Sequence, residues 1–219
     1  MLDLLLPQRC LVCGAGGTPL CAGCRDGLSP LEPPLCERCG APVAWPVARC
    51  RECAGRRLAF ASARAAVAYD ESARALVAGW KERGLRRLAE EAAAVLAERL
   101  PRPDAACTTF VPPDRDRRLR RGHHPAEGLA RALARRWELD CAELLVRAGA
   151  SRPQRGLGVA DRRRNVAGAF RSTARPPSRV LLVDDVYTTG ATVSAAASAL
   201  RAAGAREIVV LTFARAIRA

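Results

Sequence analysis

The stretch Val180-Leu181-Leu182-Val183-Asp184-Asp185-Val186-Tyr187-Thr188-Thr189-Gly190-Ala191-Thr192 decides the fold of the chain that carries it. An apolar run without polar alternation predicts a strand over Arg179–Asp184, covered on both faces as in a parallel sheet. The strand closes on two acids, and a short turn rich in Thr and Gly follows. A helix is then expected over Thr192–Ala203, stopped by Gly204. In open α/β sheets, ligands bind beyond the carboxyl ends of strands. A helix start adds unpaired N–H groups and the positive end of a dipole, which suit a phosphate. Gly190 permits close backbone approach, and Thr188, Thr189 and Thr192 supply hydroxyls. Carboxylates pressed on that phosphate would repel it, so Asp184 and Asp185 should face another part of the ligand. Sugar hydroxyls, which donate to carboxylates, meet that need. The turn lacks the Gly-Lys-Ser/Thr of a Walker loop, so a phosphorylated sugar fits better than a nucleoside triphosphate. The bland alternative is an acidic strand end with threonines capping the next helix.

Upstream and downstream, strand and helix patterns alternate. Strands are predicted at Arg64–Tyr69, at Thr108–Val111 running into Pro112-Pro113, and at Glu207–Phe213. Helices are predicted at Ser72–Glu82, where Leu76, Val77 and Trp80 share a face, at Leu85–Arg99, and at Pro125–Arg136. This order argues for an α/β domain over 58–219, a mostly parallel sheet with flanking helices.

Residues 1–57 read differently. Eight of the ten cysteines fall into four Cys-x-x-Cys pairs: Cys10/Cys13, Cys21/Cys24, Cys36/Cys39 and Cys50/Cys53. That spacing lets one tight turn aim two thiolates at one tetrahedral ion, so four pairs make two Cys₄ zinc sites. Sulfur fills every position, which predicts structural rather than catalytic metal. The segment Leu35-Cys36-Glu37-Arg38-Cys39-Gly40 echoes Arg9-Cys10-Leu11-Val12-Cys13-Gly14, and Pro30, Pro33 and Pro34 separate the two halves. Sequential pairing of the cysteines is therefore preferred to a cross-braced exchange of the middle pairs. Metal binding supplies folding free energy that so short a piece lacks. A disulfide framework is the alternative, disfavoured in a chain with no secretion signal. Cys107 opens a predicted strand and reads as a small buried apolar residue.

The 219 residues carry a formal charge of +14, lowered by 4 if eight thiolates hold two Zn²⁺ ions. Such a balance suits polyanionic partners, nucleic acid or phosphorylated ligands. Only 4% of residues are aromatic, few for sequence-tolerant base stacking, and Trp45 alone is well placed for it. Lys81 is the only lysine among many arginines, and its ammonium offers a donor geometry that a guanidinium does not, although a solvated helix residue reads the same way. No apolar run reaches the roughly 18 residues of a membrane span. The brief apolar start Met1–Pro7 has no basic leader, so a cytoplasmic protein is expected.

The Asp-Asp turn resembles the signature with which type I phosphoribosyltransferases bind 5-phosphoribosyl 1-pyrophosphate (PRPP). With four Cys-x-x-Cys pairs ahead of it, the whole chain resembles the ComF family, a competence-associated group with a double zinc ribbon. Matching stretches include Trp80-Lys81, Val111-Pro112, Arg118–Gly122, Gln154–Leu157, Arg162 through Asn165-Val166, and Ala169-Phe170. The resemblance implies that Asp184 and Asp185 hold ribose hydroxyls and that Thr188, Thr189, Gly190, Ala191 and Thr192 wrap the 5′-phosphate. It places Val111 and Pro112 near the pyrophosphate. Lys81, Arg118, Arg121 and Arg162 become candidates for pyrophosphate or other polyanions, although the run Arg115–Arg121 also reads as solvated surface. If the domain is an enzyme, it would displace pyrophosphate at the anomeric carbon, with Mg²⁺ neutralising the leaving oxygens. The competing reading is a catalytically silent module for single-stranded DNA, working with other DNA-uptake proteins. One departure stands out: Gly122-His123-His124-Pro125 replaces the family's usual Gly-Phe-Asn-Gln, which leaves turnover in question. The adjacent histidines diverge on most backbones and are not expected to be metal ligands.

Overall fold

The computed structural model describes residues 8–82, 84–113, 123–148 and 168–217. In chain order these form a short helix α1 (Ala22–Asp26), strand β1 (Ser62–Ala68), helices α2 (Glu71–Glu82) and α3 (Leu88–Arg99), and strand β2 (Cys107–Phe110). Helix α4 (Pro125–Trp137) and strands β3 (Asp140–Cys141), β4 (Leu145–Arg147), β5 (Phe170–Ser172) and β6 (Arg179–Tyr187) follow. Helix α5 (Ala191–Ala202) and strand β7 (Glu207–Arg215) complete the set. The main sheet has the order β1-β7-β6-β2-β3, and every pair in it is parallel. Strands β4 and β5 form a separate antiparallel pair. This is the expected α/β architecture, preceded by a cysteine-rich segment.

Alternation along β6 sends its side chains to two cores. Leu181 and Val183 pack with α2, α3 and α4 on one face. Val180 and Leu182 pack on the other with Val193, Ala196, Ala197 and Leu200 of α5. Both faces of the central strand are thus apolar, which is why its sequence shows a continuous run.

The cysteine-rich segment covers the edge of the sheet. β1 is an edge strand, and its outward N–H groups would otherwise be unpaired. Ala63 N–H donates to the Arg38 carbonyl, and Ala68 N–H to the Ser29 carbonyl, each at 2.9 Å. Gly40 has φ +69°, and a Cβ there would lie 2.5 Å from the Ala63 carbonyl oxygen, so glycine is required at this contact. Leu11, Val12, Leu20 and Leu28 join the core under α2 and α3, whereas Cys36, Cys39, Cys50 and Cys53 join the core under α5. The two halves of the segment straddle the edge, one on each face.

Two features differ from the sequence reading. β6 does not end at the acids but continues through them to Tyr187, because its pairing with β7 runs on to Tyr187 opposite Arg215. Its pairing with β2 stops at Phe110 opposite Val183. Beyond that point Pro112 and Pro113 offer no N–H for a ladder, so one side of β6 opens just where Asp184 and Asp185 sit. The short elements α1, β3, β4 and β5 are not among the elements expected from the sequence.

Candidate functional site

The opening beside β6 is a cavity of about 320 Å³. Asp184, Asp185, Val186, Thr188 and Thr192 line one wall, Val111, Pro112 and Pro113 a second, and Lys81, Tyr69, His123, His124, Pro125 and Arg147 the rest. Several elements therefore converge on one space.

Lys81 is delivered by α2. Asp70 starts that helix: its Oδ1 accepts from the Ala73 N–H at 2.9 Å, and its Oδ2 accepts from the Ser29 hydroxyl at 2.6 Å. Ala73, Leu76, Val77 and Trp80 bury one face, which orients the last turn toward the cavity. There the Lys81 ammonium donates to Asp185 Oδ1 at 2.7 Å. His123 Nε2 donates to the Trp80 carbonyl at 2.6 Å, pinning the residue before Lys81.

The paired acids are unlike each other. The Asp185 N–H donates to Asp184 Oδ1 at 2.9 Å. Asp184 is pushed well above the ordinary carboxylate range, first by burial and then by the charge of Asp185; Lys81, that N–H and Arg147 pull the other way. Asp185 keeps the ammonium as its direct partner. Arg147 is held over the Phe170 ring, 4.9 Å from the centroid, and its Nε donates to the Pro112 carbonyl at 3.3 Å. After the acids, Gly190 adopts φ +71° and α5 begins at Ala191, so the turn leads its N–H groups into a helix start.

The cysteines form two groups, Cys10/Cys13/Cys21/Cys24 and Cys36/Cys39/Cys50/Cys53. In each, the four sulfurs lie within 4.8 Å of one another, so the pairing is sequential. A Zn–S bond of about 2.3 Å gives a tetrahedron with edges of about 3.8 Å. The separations Cys13–Cys21 3.6 Å, Cys36–Cys53 3.6 Å, Cys39–Cys50 3.5 Å and Cys50–Cys53 3.9 Å match that edge. Both groups fit structural Zn²⁺. Cys13 is exposed, while the second group is buried against α5. Metal analysis should give close to two zinc ions per chain, and none would refute the assignment. A chelator should strip them in two phases, the first-group ion leaving faster; a single phase would mean that burial does not protect the second.

The double zinc ribbon domain family matches residues 1–54. Competence protein F of Haemophilus influenzae is 31% identical over 211 residues, covering 90% of each chain. The chain belongs to the ComF family. Competence protein ComFC of Streptococcus pneumoniae is 28% identical over 156 residues, 70% of this chain and 68% of that one.

In this ComF-family chain the structure gathers Lys81, Val111, Pro112, Asp184, Asp185, Thr188 and Thr192 around one cavity, with Thr189 and Gly190 in the adjoining turn and Ala191 opening α5. Arg118, Arg121 and Arg162 lie outside the described residues, as do the stretches Gln154–Leu157 and Asn165-Val166. Tyr69 and Arg147 also line the cavity and were not anticipated; neither sits in a local pattern that marks it. His123 and His124 also line the cavity. Cys107 is buried outside both cysteine groups. No helix among the described residues is long and apolar enough to cross a membrane.

Proposed function

We propose that this ComF-family protein binds PRPP or a ribose 5-phosphate ligand in the cavity beside Asp184, in the service of DNA uptake during natural transformation. The link to DNA uptake rests on the relatives, both named as competence proteins. The ligand reading rests on one observation. An acid pair, a Thr/Gly turn entering a helix, and the Val111-Pro112 strand end surround a single cavity of sugar-phosphate size. In this reading Asp184 and Asp185 accept the ribose hydroxyls. The N–H groups and hydroxyls from Thr188 to Thr192 hold the 5′-phosphate. Val111 and Pro112 flank the pyrophosphate, and Lys81 turns from Asp185 toward it. Arg147 adds positive charge on the same side, and Arg118, Arg121 and Arg162 are further polyanion contacts. The reaction such a site serves is displacement of pyrophosphate at the anomeric carbon. Mg²⁺ carried on the pyrophosphate would neutralise the leaving oxygens. We further propose the division into a double ribbon at 1–57 and a phosphoribosyltransferase-like domain at 58–219.

Calorimetry with PRPP and Mg²⁺ tests this directly. The folded, zinc-loaded protein should show saturable heat at one site. Asp185→Ala removes a charge-assisted acceptor and should weaken binding roughly 10- to 100-fold. Absence of heat in the wild type would sink the reading.

A second reading, single-stranded DNA binding on the second ribbon, is favoured by Trp45. It is 69% exposed and borders a groove of about 350 Å³ lined by Pro42, Val43, Val47, Arg49 and Arg51. A base stacked on an exposed indole contributes about 1–3 kcal/mol. Trp45→Ala should therefore weaken oligonucleotide binding roughly 5- to 150-fold. A flat dependence of log K on log salt would count against phosphate contacts.

A further inference from the structure

Arg215 ends β7 directly opposite Tyr187 in the sheet register, yet it is an arginine only 1% exposed. A buried guanidinium without partners is strongly disfavoured, so its partners define its role. Its Nη1 donates to the Cys39 carbonyl at 2.7 Å, and its Nη2 donates to Glu52 Oε2 at 2.8 Å. Both acceptors belong to the second cysteine group's segment. On its other side the guanidinium carbon lies 4.4 Å from the centroid of the Tyr187 ring. Tyr187, also packed edge-on against Phe60, fills the space beneath Gly190 so closely that a Cβ there would overlap its hydroxyl. Ribbon, arginine, tyrosine and turn thus form a chain of direct contacts. A second tie runs in parallel through Ala59, which follows the ribbon. Its N–H donates to the Ser194 hydroxyl on α5 at 3.3 Å, and its carbonyl accepts from Arg201 on the same helix.

We infer that Arg215 is a positioning residue of the phosphate turn, through which the second four-cysteine ribbon sets the backbone geometry of Thr188–Thr192. The inference deepens the ligand reading above and rests on it for its functional consequence. The arginine is not among the residues lining the cavity; it acts through Tyr187. The fork matters because one planar group must meet a carbonyl, a carboxylate and a ring face together, which a lysine ammonium cannot do. The ribbon is then part of the site's scaffold, and loosening it loosens the turn.

Hydrogen exchange by mass spectrometry on the full, zinc-loaded chain tests this, with PRPP affinity measured alongside. Glu52→Gln and Arg215→Lys should each speed exchange of the amides from Thr188 to Val193 about tenfold and weaken PRPP binding by a similar factor. Exchange in α3, on the opposite face, should stay unchanged. Faster exchange throughout the protein would overturn the inference, since it would mean that Arg215 only stabilises the fold. If the wild type binds PRPP but neither variant alters turn exchange or affinity, the inference fails and the ligand reading stands. If the variants loosen the turn and the wild type binds no PRPP, the ligand reading fails and the positioning role stands. Glu52 has a quarter of its side chain exposed, so Glu52→Gln keeps the test open should Arg215→Lys fail to fold.

Discussion

Gly190→Ala should lower the melting temperature by about 5–15 °C and reduce affinity for a sugar phosphate at least about 100-fold. Two costs add. The residue sits at φ +71°, and an L-residue there costs about 1–2 kcal/mol. The new methyl would also overlap the Tyr187 hydroxyl and ring, and Tyr187 is held by Arg215 and Phe60 and cannot retreat freely. Overpacking of this kind costs about 1–3 kcal/mol more. In a chain of this size each kcal/mol moves the midpoint by about 2–4 °C. The binding loss follows from the turn itself. If two N–H donors to the phosphate are misdirected, at about 1.5–3 kcal/mol each, affinity falls by two orders of magnitude or more.

A control separates strain from packing. Gly168 also has positive φ, +81°, but a Cβ there meets nothing within 4 Å. Gly168→Ala should therefore cost only the conformational part. Thermal denaturation of both variants decides the matter. Equal losses would mean that Tyr187 does not fill the space beneath the turn.

The parts of this molecule visible in the sequence are those set by local spacing. Val180–Val183 announces a two-faced strand because both sides meet helices, and the Cys-x-x-Cys spacing announces the metal geometry because one turn suffices to build it. What escaped depends on partners far along the chain. Arg215 ends a mostly apolar strand, and nothing near it signals that its guanidinium is buried; the reason is Glu52 and Cys39, brought to it across the edge of the sheet. Arg147 enters the cavity from β4, which exists only because it pairs with β5. The extent of β6 has a similar cause. Its last residues look like a loop after two acids, but β7 supplies a pairing partner through Tyr187 while β2 does not. The same one-sided pairing creates the cavity, so the feature least legible in the strand's own residues is the one that makes the site.

The pH dependence of the apo protein and of its ligand affinity should run in opposite directions, and Asp184 is the cause of both. Burial, and after it the charge of Asp185, push the Asp184 carboxyl up to about 7. A folded-state value above the unfolded one means that the native protein binds the proton more tightly. The resulting stabilisation is fully present below about pH 4 and is lost as pH rises through about 7. A shift of about three units corresponds to at most about 4 kcal/mol. Because the carboxyl borders an open cavity, solvent screens part of it, and we expect about 1–2 kcal/mol. Asp184→Asn should remove this slope and melt higher than the wild type at pH 8, with little difference at pH 4. Ligand binding reverses the sign. Sugar hydroxyls donate to the ionised carboxylate and so favour it. Affinity for PRPP should rise between pH 5.5 and 8, and binding near pH 6.5 should expel a proton from Asp184. Calorimetry in buffers of different ionisation enthalpy counts that proton. The ligand's own phosphate also titrates near pH 6, so the informative quantity is the difference between wild type and Asp184→Asn at the same pH. Fewer protons released by the variant would place the ribose hydroxyls on Asp184; equal release would remove Asp184 from the sugar contact and leave Asp185 alone with it.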